Sequence, residues 1–191
     1  SLFGYSALAA GTDDLSSTVS PGGSISYSNT SSNNEFIHTG PADGRSECII
    51  DYAVYNSDGS VKSSGTGSRG IQSVPAGGRA VVTNAGSSVI EVYGKKTAFS
   101  ASASSVPALA KLQLAPSASA KFTNISSAGA AVSTGSAVYA AYNSDYTLSD
   151  FGTGSGSLHA VPAGGYLICT NSSSSAITVY GAYEAFTVEA T

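Results

Sequence analysis

Side chains able to do acid–base chemistry are scarce in this sequence. His38 and His159 are the only histidines. Serine recurs so often that no Ser-His-Asp set stands out from composition. Asn56-Ser57-Asp58-Gly59-Ser60, repeated in part at Asn143-Ser144-Asp145, opens like a calcium loop. It lacks the further oxygen ligands and the closing glutamate that such a loop uses. The same residues are read as Asn-Asp turns joining strands. The chain is therefore expected not to be an enzyme and to carry no metal or cofactor.

Recognition chemistry is better represented. Asn29-Thr-Ser, Asn124-Ile-Ser and Asn171-Ser-Ser are sequons. Asn29, Asn124 and Asn171 are read either as glycan acceptors on exposed turns or as asparagines placed for their turn conformation. Strand alternation puts Tyr55 and Tyr142 on one outward face and Tyr93 and Tyr180 on another. Exposed tyrosines at equivalent positions are expected to stack on sugars or to pack against another subunit. Cys48 and Cys169 alternate inward in separate repeats and are expected to be buried free thiols, ahead of a disulfide.

These residues are hung on a repeated unit. Val74-Pro-Ala-Gly-Gly-Arg-Ala-Val-Val-Thr-Asn84 is nearly copied at Val161-Pro-Ala-Gly-Gly-Tyr-Leu-Ile-Cys-Thr-Asn171. Diverged copies run from Val19 to Asn29 and from Leu114 to Asn124. Each reads as a tight turn, a short alternating strand and an Asn-led turn. The two halves align without a gap from Cys48–Ser104 onto Gly135–Thr191, which is a tandem duplication. An insertion within Asn33–Arg45 distinguishes the first half.

No window keeps a helical period with caps. The fold class is all-β: two tandem β-sandwich, jelly-roll-like domains related by internal duplication, each with seven or eight strands. The expected division is an arm at 1–16, a first sandwich at 17–104, a linker at 105–111 and a second sandwich at 112–191. Inward candidates are Ile25 or Tyr27, Ile50, Tyr52, Val54, Val82, Ile90, Val92 and Phe99, with Tyr139, Ile177, Val179 and Phe186 as their partners.

Charged residues make up 10% of the chain and the net charge is −4. That balance excludes a phosphate-tracking nucleic-acid binder. No apolar run approaches the ~20 residues that span a bilayer. The Ser-, Gly- and Ala-rich composition predicts an extracellular or cell-surface protein.

Leu2, Phe3, Tyr5 and Leu8 place large apolar side chains on an N-terminal arm. Together with the small, Ser/Gly/Ala-rich sandwiches and the lack of chemistry, this resembles the β-sandwich subunits of extracellular donor-strand filaments and pili. The resemblance implies a homopolymer in which the arm inserts into a neighbouring subunit. An adhesin or carbohydrate-binding surface module that contacts surface glycans is the alternative expectation. A viral or phage capsid or fibre protein is a further one.

Overall fold

The computed structural model describes residues 10–154 and 158–191, and among these every regular element is a strand. The chain divides into two units, one ending at Ala108 and one running from Leu109 to Thr191. Unit 1 holds β1 (Asp14–Val19), β2 (Ser24–Asn29), β3 (Glu35–Pro41), β4 (Ile50–Tyr55), β5 (Val61–Gly67), β6 (Gly70–Val74), β7 (Arg79–Asn84), β8 (Ile90–Lys95) and β9 (Phe99–Ala103). Unit 2 repeats them as β10 (Leu109–Leu114), β11 (Ser119–Asn124), β12 (Ala130–Ser133), β13 (Ala137–Tyr142), β14 (Leu148–Thr153), β15 (Leu158–Val161), β16 (Tyr166–Asn171), β17 (Ile177–Ala182) and β18 (Phe186–Ala190).

Each unit is a jelly-roll sandwich of two antiparallel sheets. In unit 1 a four-stranded sheet in the order β1-β8-β3-β6 faces a five-stranded sheet in the order β5-β4-β7-β2-β9. Unit 2 reproduces both orders, as β10-β17-β12-β15 and β14-β13-β16-β11-β18. The period-2 pattern sets the faces. Along β2 the residues of Ser-Ile-Ser-Tyr-Ser-Asn alternate half-buried and buried, and Ser-Ala-Lys-Phe-Thr-Asn of β11 does the same.

The unit 1 core gathers Ile25, Tyr27, Cys48, Ile50, Val54, Val82, Ile90, Val92 and Phe99, together with Ile37 and Val74, which alternation had not singled out. Tyr27 meets Phe99 edge-to-face at 5.8 Å, and Phe122 meets Phe186 at 6.0 Å in unit 2. The Tyr27 hydroxyl crosses the sandwich to donate to the Val92 carbonyl at 2.8 Å. Cys48 and Cys169 are free, buried and in different units. Burial raises both thiol pKa values, that of Cys169 to about 11.

The repeated unit has a mechanical role that its local sequence does not show. The four asparagines end β2, β7, β11 and β16, central strands of the five-stranded sheets, and are essentially buried. The Asn29 amide donates to the carbonyl of Val74, and the Asn84 amide donates to that of Val19. Each bond joins the end of one motif copy to the first residue of the other, across the two sheets. Unit 2 repeats the exchange from Asn124 to the Val161 carbonyl and from Asn171 to that of Leu114, both at 3.0 Å. The accepting residues end β1, β6, β10 and β15, the edge strands of the four-stranded sheets. Reciprocal asparagine staples thus fasten those edges to the centre of the opposite sheet. The turn between them holds a positive φ at its fourth position in every copy: Gly22, Gly77, Gly164 and even Ser117 at 68°.

Several expected boundaries move. Asp14–Ser16, placed in the arm, belong to β1 and pair with β8 of the same chain. The stretch read as a linker contains the start of β10. The insertion in the first half lengthens β3 and ends in a turn in which Asp43 accepts from the Arg45 and Ser46 amides. The Ser46 hydroxyl, which also donates to Asp43, and then those two amides lower the Asp43 pKa to about 2.

Candidate functional site

Strand register builds one open face, on the outer side of β14-β13-β16-β11-β18. Val138, Ala140 and Tyr142 of β13 stand opposite Thr170, Ile168 and Tyr166 of β16. Phe151 and Leu148 of β14 stand opposite Ala140 and Tyr142. Tyr142 and Tyr166 stack at 4.8 Å, and the Lys121 ammonium lies over the Tyr166 ring at 4.7 Å. A groove of about 260 Å³ is lined by Val138, Tyr139, Ala140, Tyr142, Ile168 and Thr170. Its floor is small because Ala140 is small. Its surroundings are apolar and exposed: Phe151 is 69% accessible, Leu148 52% and Ile168 36%.

The duplication supplies an internal control. In unit 1 the same positions are Asp51, Ala53 and Tyr55 on β4, Arg79, Val81 and Thr83 on β7, and Ser64 on β5, in the same register. Asp51, Ala53, Tyr55, Val81 and Thr83 are all buried, the last at 8%. The Ala108 amide donates to Thr83 Oγ1 at 2.8 Å, so the segment after β9 lies against this face. The unit 1 face is more polar and covered. The unit 2 face is more apolar and open.

The tyrosines expected outward divide on this point. Tyr55 and Tyr93 are corrected: they lie on the outward faces but are buried. Tyr55 sits beneath the Arg79 guanidinium at 4.4 Å, and Tyr93 stacks on His38 at 5.0 Å. Alternation names a face and not what lies on it. Tyr142 and Tyr180 are half-buried, and only Tyr142 joins the groove. Tyr146 (76% accessible) and Phe151 had no counterpart aromatics to flag them.

The reading of Asn29, Asn124 and Asn171 as glycan acceptors on exposed turns is corrected too. Their amides are buried in the staples. The sequon serines follow from the same turn, because the Oγ atoms of Ser31, Ser126 and Ser173 bond the asparagine Oδ1. Asn84, followed by Ala and Gly, makes the staple without a sequon. Leu2, Phe3, Tyr5 and Leu8 lie outside the described residues.

One histidine is placed inside a sandwich. His159 stacks on Tyr139 at 3.6 Å between rings, and the Tyr139 hydroxyl donates to Asp150 at 3.0 Å. His159 Nε2 and Thr134 Oγ1 are buried without hydrogen-bond partners, both facing Gly154. Burial lowers the His159 pKa from its usual 6.5, against the opposing pull of the Asp150 carboxylate. The unfolded chain therefore binds this proton more readily than the fold does. Stability from His159 is complete above about pH 6.5 and is lost as pH falls through the depressed folded value. His159→Gln installs the residue found at the matching position of unit 1, Gln72. It is expected to flatten the decline in urea midpoint between pH 7 and pH 5, and an unchanged slope would refute this role.

No protein-family profile and no curated protein matches the chain. Solved structures similar to it include oxalate decarboxylase from Bacillus subtilis, at 8% identity over 92% of this chain and 69% of that one, TM-score 0.39. Pumpkin seed globulin matches at 9% identity over 92% and 78%, TM-score 0.37. Vicilin from Solanum lycopersicum matches at 9% identity over 93% and 76%, TM-score 0.34. One structure of the decarboxylase is described with Mn(II) centres. Here His38 lies on an outward face of unit 1 and His159 on an inward face of unit 2. Among the described residues no group of three His, Cys, Asp or Glu side chains forms. No described helix is long and apolar enough to cross a membrane. The filament expectation is overturned: the neighbours are a decarboxylase and globulins with the sandwich fold, and not pilus or filament subunits.

Proposed function

We propose that this chain is a non-catalytic docking module whose recognition surface is the outer face of β14-β13-β16-β11-β18, and that its partner is a polypeptide. The observation that carries the reading is the contrast between the two copies of that face. Where unit 1 has Asp51, Ser64, Arg79 and Val81, unit 2 has Val138, Phe151, Tyr166 and Ile168. The copy left open is the more apolar one, and contiguous exposed apolar surface of this kind marks an interaction site. The engaged Tyr166 ring favours a protein over a sugar. Tyr142 stacks on Tyr166 and the Lys121 ammonium lies over the same ring, so that ring is already engaged by its own neighbours. Branched aliphatic side chains make up much of the remaining surface.

Photo-crosslinking tests this. A benzophenone side chain in place of exposed Phe151 is expected to form polypeptide adducts in the source cells. The same probe at Gln113, on the other sheet of unit 2, is expected to form none. Adding Ile168→Glu should abolish the Phe151 adducts while the unfolding midpoint stays within ~2 °C, because both positions are accessible. Equal labelling at the two probe positions, or adducts indifferent to Ile168→Glu, defeats the proposal.

A further inference from the structure

Resting on the docking reading, we infer that the groove over Ala140 takes an extended, uncharged peptide segment of Ser-Val-Pro-Ala character from the partner protein. This segment donates a main-chain N–H to Thr170 Oγ1. The covered copy of the face shows what its threonine receives. In unit 1 the Ser24 and Thr83 hydroxyls pair at 2.7 Å, and the spare lone pair of Thr83 Oγ1 accepts the Ala108 amide. Ala108 is fully buried there and closes the strap Ser104-Ser-Val-Pro-Ala108. The strap is pinned at its start by the Ser104 amide on the Ser24 carbonyl, and it is shaped by the Ser104 hydroxyl on the Val106 carbonyl.

Unit 2 keeps the receiving parts. Ser119 and Thr170 pair at 2.6 Å, Thr170 is half-buried, and among the described residues no amide caps it. The floor residue is alanine in both copies, Ala53 and Ala140. The walls change in one direction. Val138 replaces Asp51 and Ile168 replaces Val81, which removes the carboxylate and adds aliphatic surface. A charged segment would lose hydration there without gaining a counter-charge. Lys121 stands at the rim, committed to the Tyr166 ring. The occupant is therefore uncharged and small-sided, and is held by one main-chain bond and apolar contact.

The probe is the capped peptide Ser-Ser-Val-Pro-Ala-Leu, the sequence of residues 104–109, titrated into the full chain and followed by amide NMR shifts. Saturable shifts confined to residues 138–142 and 166–170 are expected, with a Kd on the order of 0.1–1 mM for so short a ligand. Thr170→Val, close to threonine in shape, removes the acceptor and is expected to weaken binding by about 3–10-fold. Ala140→Glu fills the floor with a charge and is expected to abolish it. Unshifted resonances elsewhere certify the fold of both variants. Absent saturation, or saturation indifferent to both substitutions, overturns the peptide assignment. So does a set of neutral oligosaccharides that shifts the same residues when the peptide does not. Persistence of the Phe151 adducts in those cases leaves the docking surface standing, whereas their loss removes both readings.

Discussion

Asn84→Ala and Asn171→Ala are each expected to lower the stability of the unit that carries them by about 2–4 kcal/mol. Each amide serves two main-chain carbonyls: Val19 and Ser88 for Asn84, Leu114 and Ser175 for Asn171. The asparagines are 0% and 1% exposed, so water cannot replace the lost donor. Truncation leaves carbonyls unsatisfied at the edge-strand ends, where β1 and β10 would otherwise be held by one neighbour alone. Asn→Asp keeps the shape, removes the donor and buries a charge, so it is expected to be at least as damaging. Asn56→Ala, on an exposed turn, serves as the control and should stay within about 1 kcal/mol. Urea unfolding of these variants decides the matter. A loss for Asn84→Ala no larger than for Asn56→Ala would show that the staple is ornamental.

Much of the framework was legible because it is periodic. The gapless alignment of the halves gave the duplication, and alternation placed Cys48, Ile50, Val54, Val82, Val92 and Phe99 inward, where the core contains them. Seven or eight strands per half were expected and nine are described in each unit, and the hard ones to read are those without a period. β14, Leu-Ser-Asp-Phe-Gly-Thr, is accessible along nearly its whole length and pairs on one side only, so neither face selects a pattern. β10 was hidden beside the Ser/Ala-rich run that precedes it. The staples were illegible for a different reason: each asparagine bonds a carbonyl dozens of residues away, in the other copy of its own motif. The candidate site was half legible. Tyr142 was found, but Tyr55, identical to it by alignment, is buried. What distinguishes the two is the covering of the face, a tertiary property that alternation does not encode.

Gly165→Ala is expected to cost about 2–4 kcal/mol, and Gly23→Ala less than about 1 kcal/mol, although the two glycines hold the same place in the repeated unit. A Cβ on Gly165 would overlap the Tyr142 carbonyl oxygen and come within 3.1 Å of the Pro162 carbonyl. Main chain on both sides cannot retreat as a side chain could. A Cβ on Gly23 meets only the Ser20 carbonyl at 3.1 Å and the rotatable Val19 Cγ1 at 3.2 Å. Its counterpart in unit 2 is already alanine, Ala118. The Gly165 clash also reaches the candidate site. Moving the Tyr142 carbonyl disturbs the pair Tyr142–Tyr166 at the end of β13, and with it the ring stack that closes the groove. Gly165→Ala is therefore expected to lower the urea midpoint and to weaken Ser-Ser-Val-Pro-Ala-Leu binding together. Gly78→Ala, which meets the Tyr55 carbonyl in the same way in unit 1, should destabilise without touching binding. If Gly165→Ala proves as mild as Gly23→Ala, the close approach of turn and strand does not constrain the sequence. The glycine pair of the motif would then need another explanation.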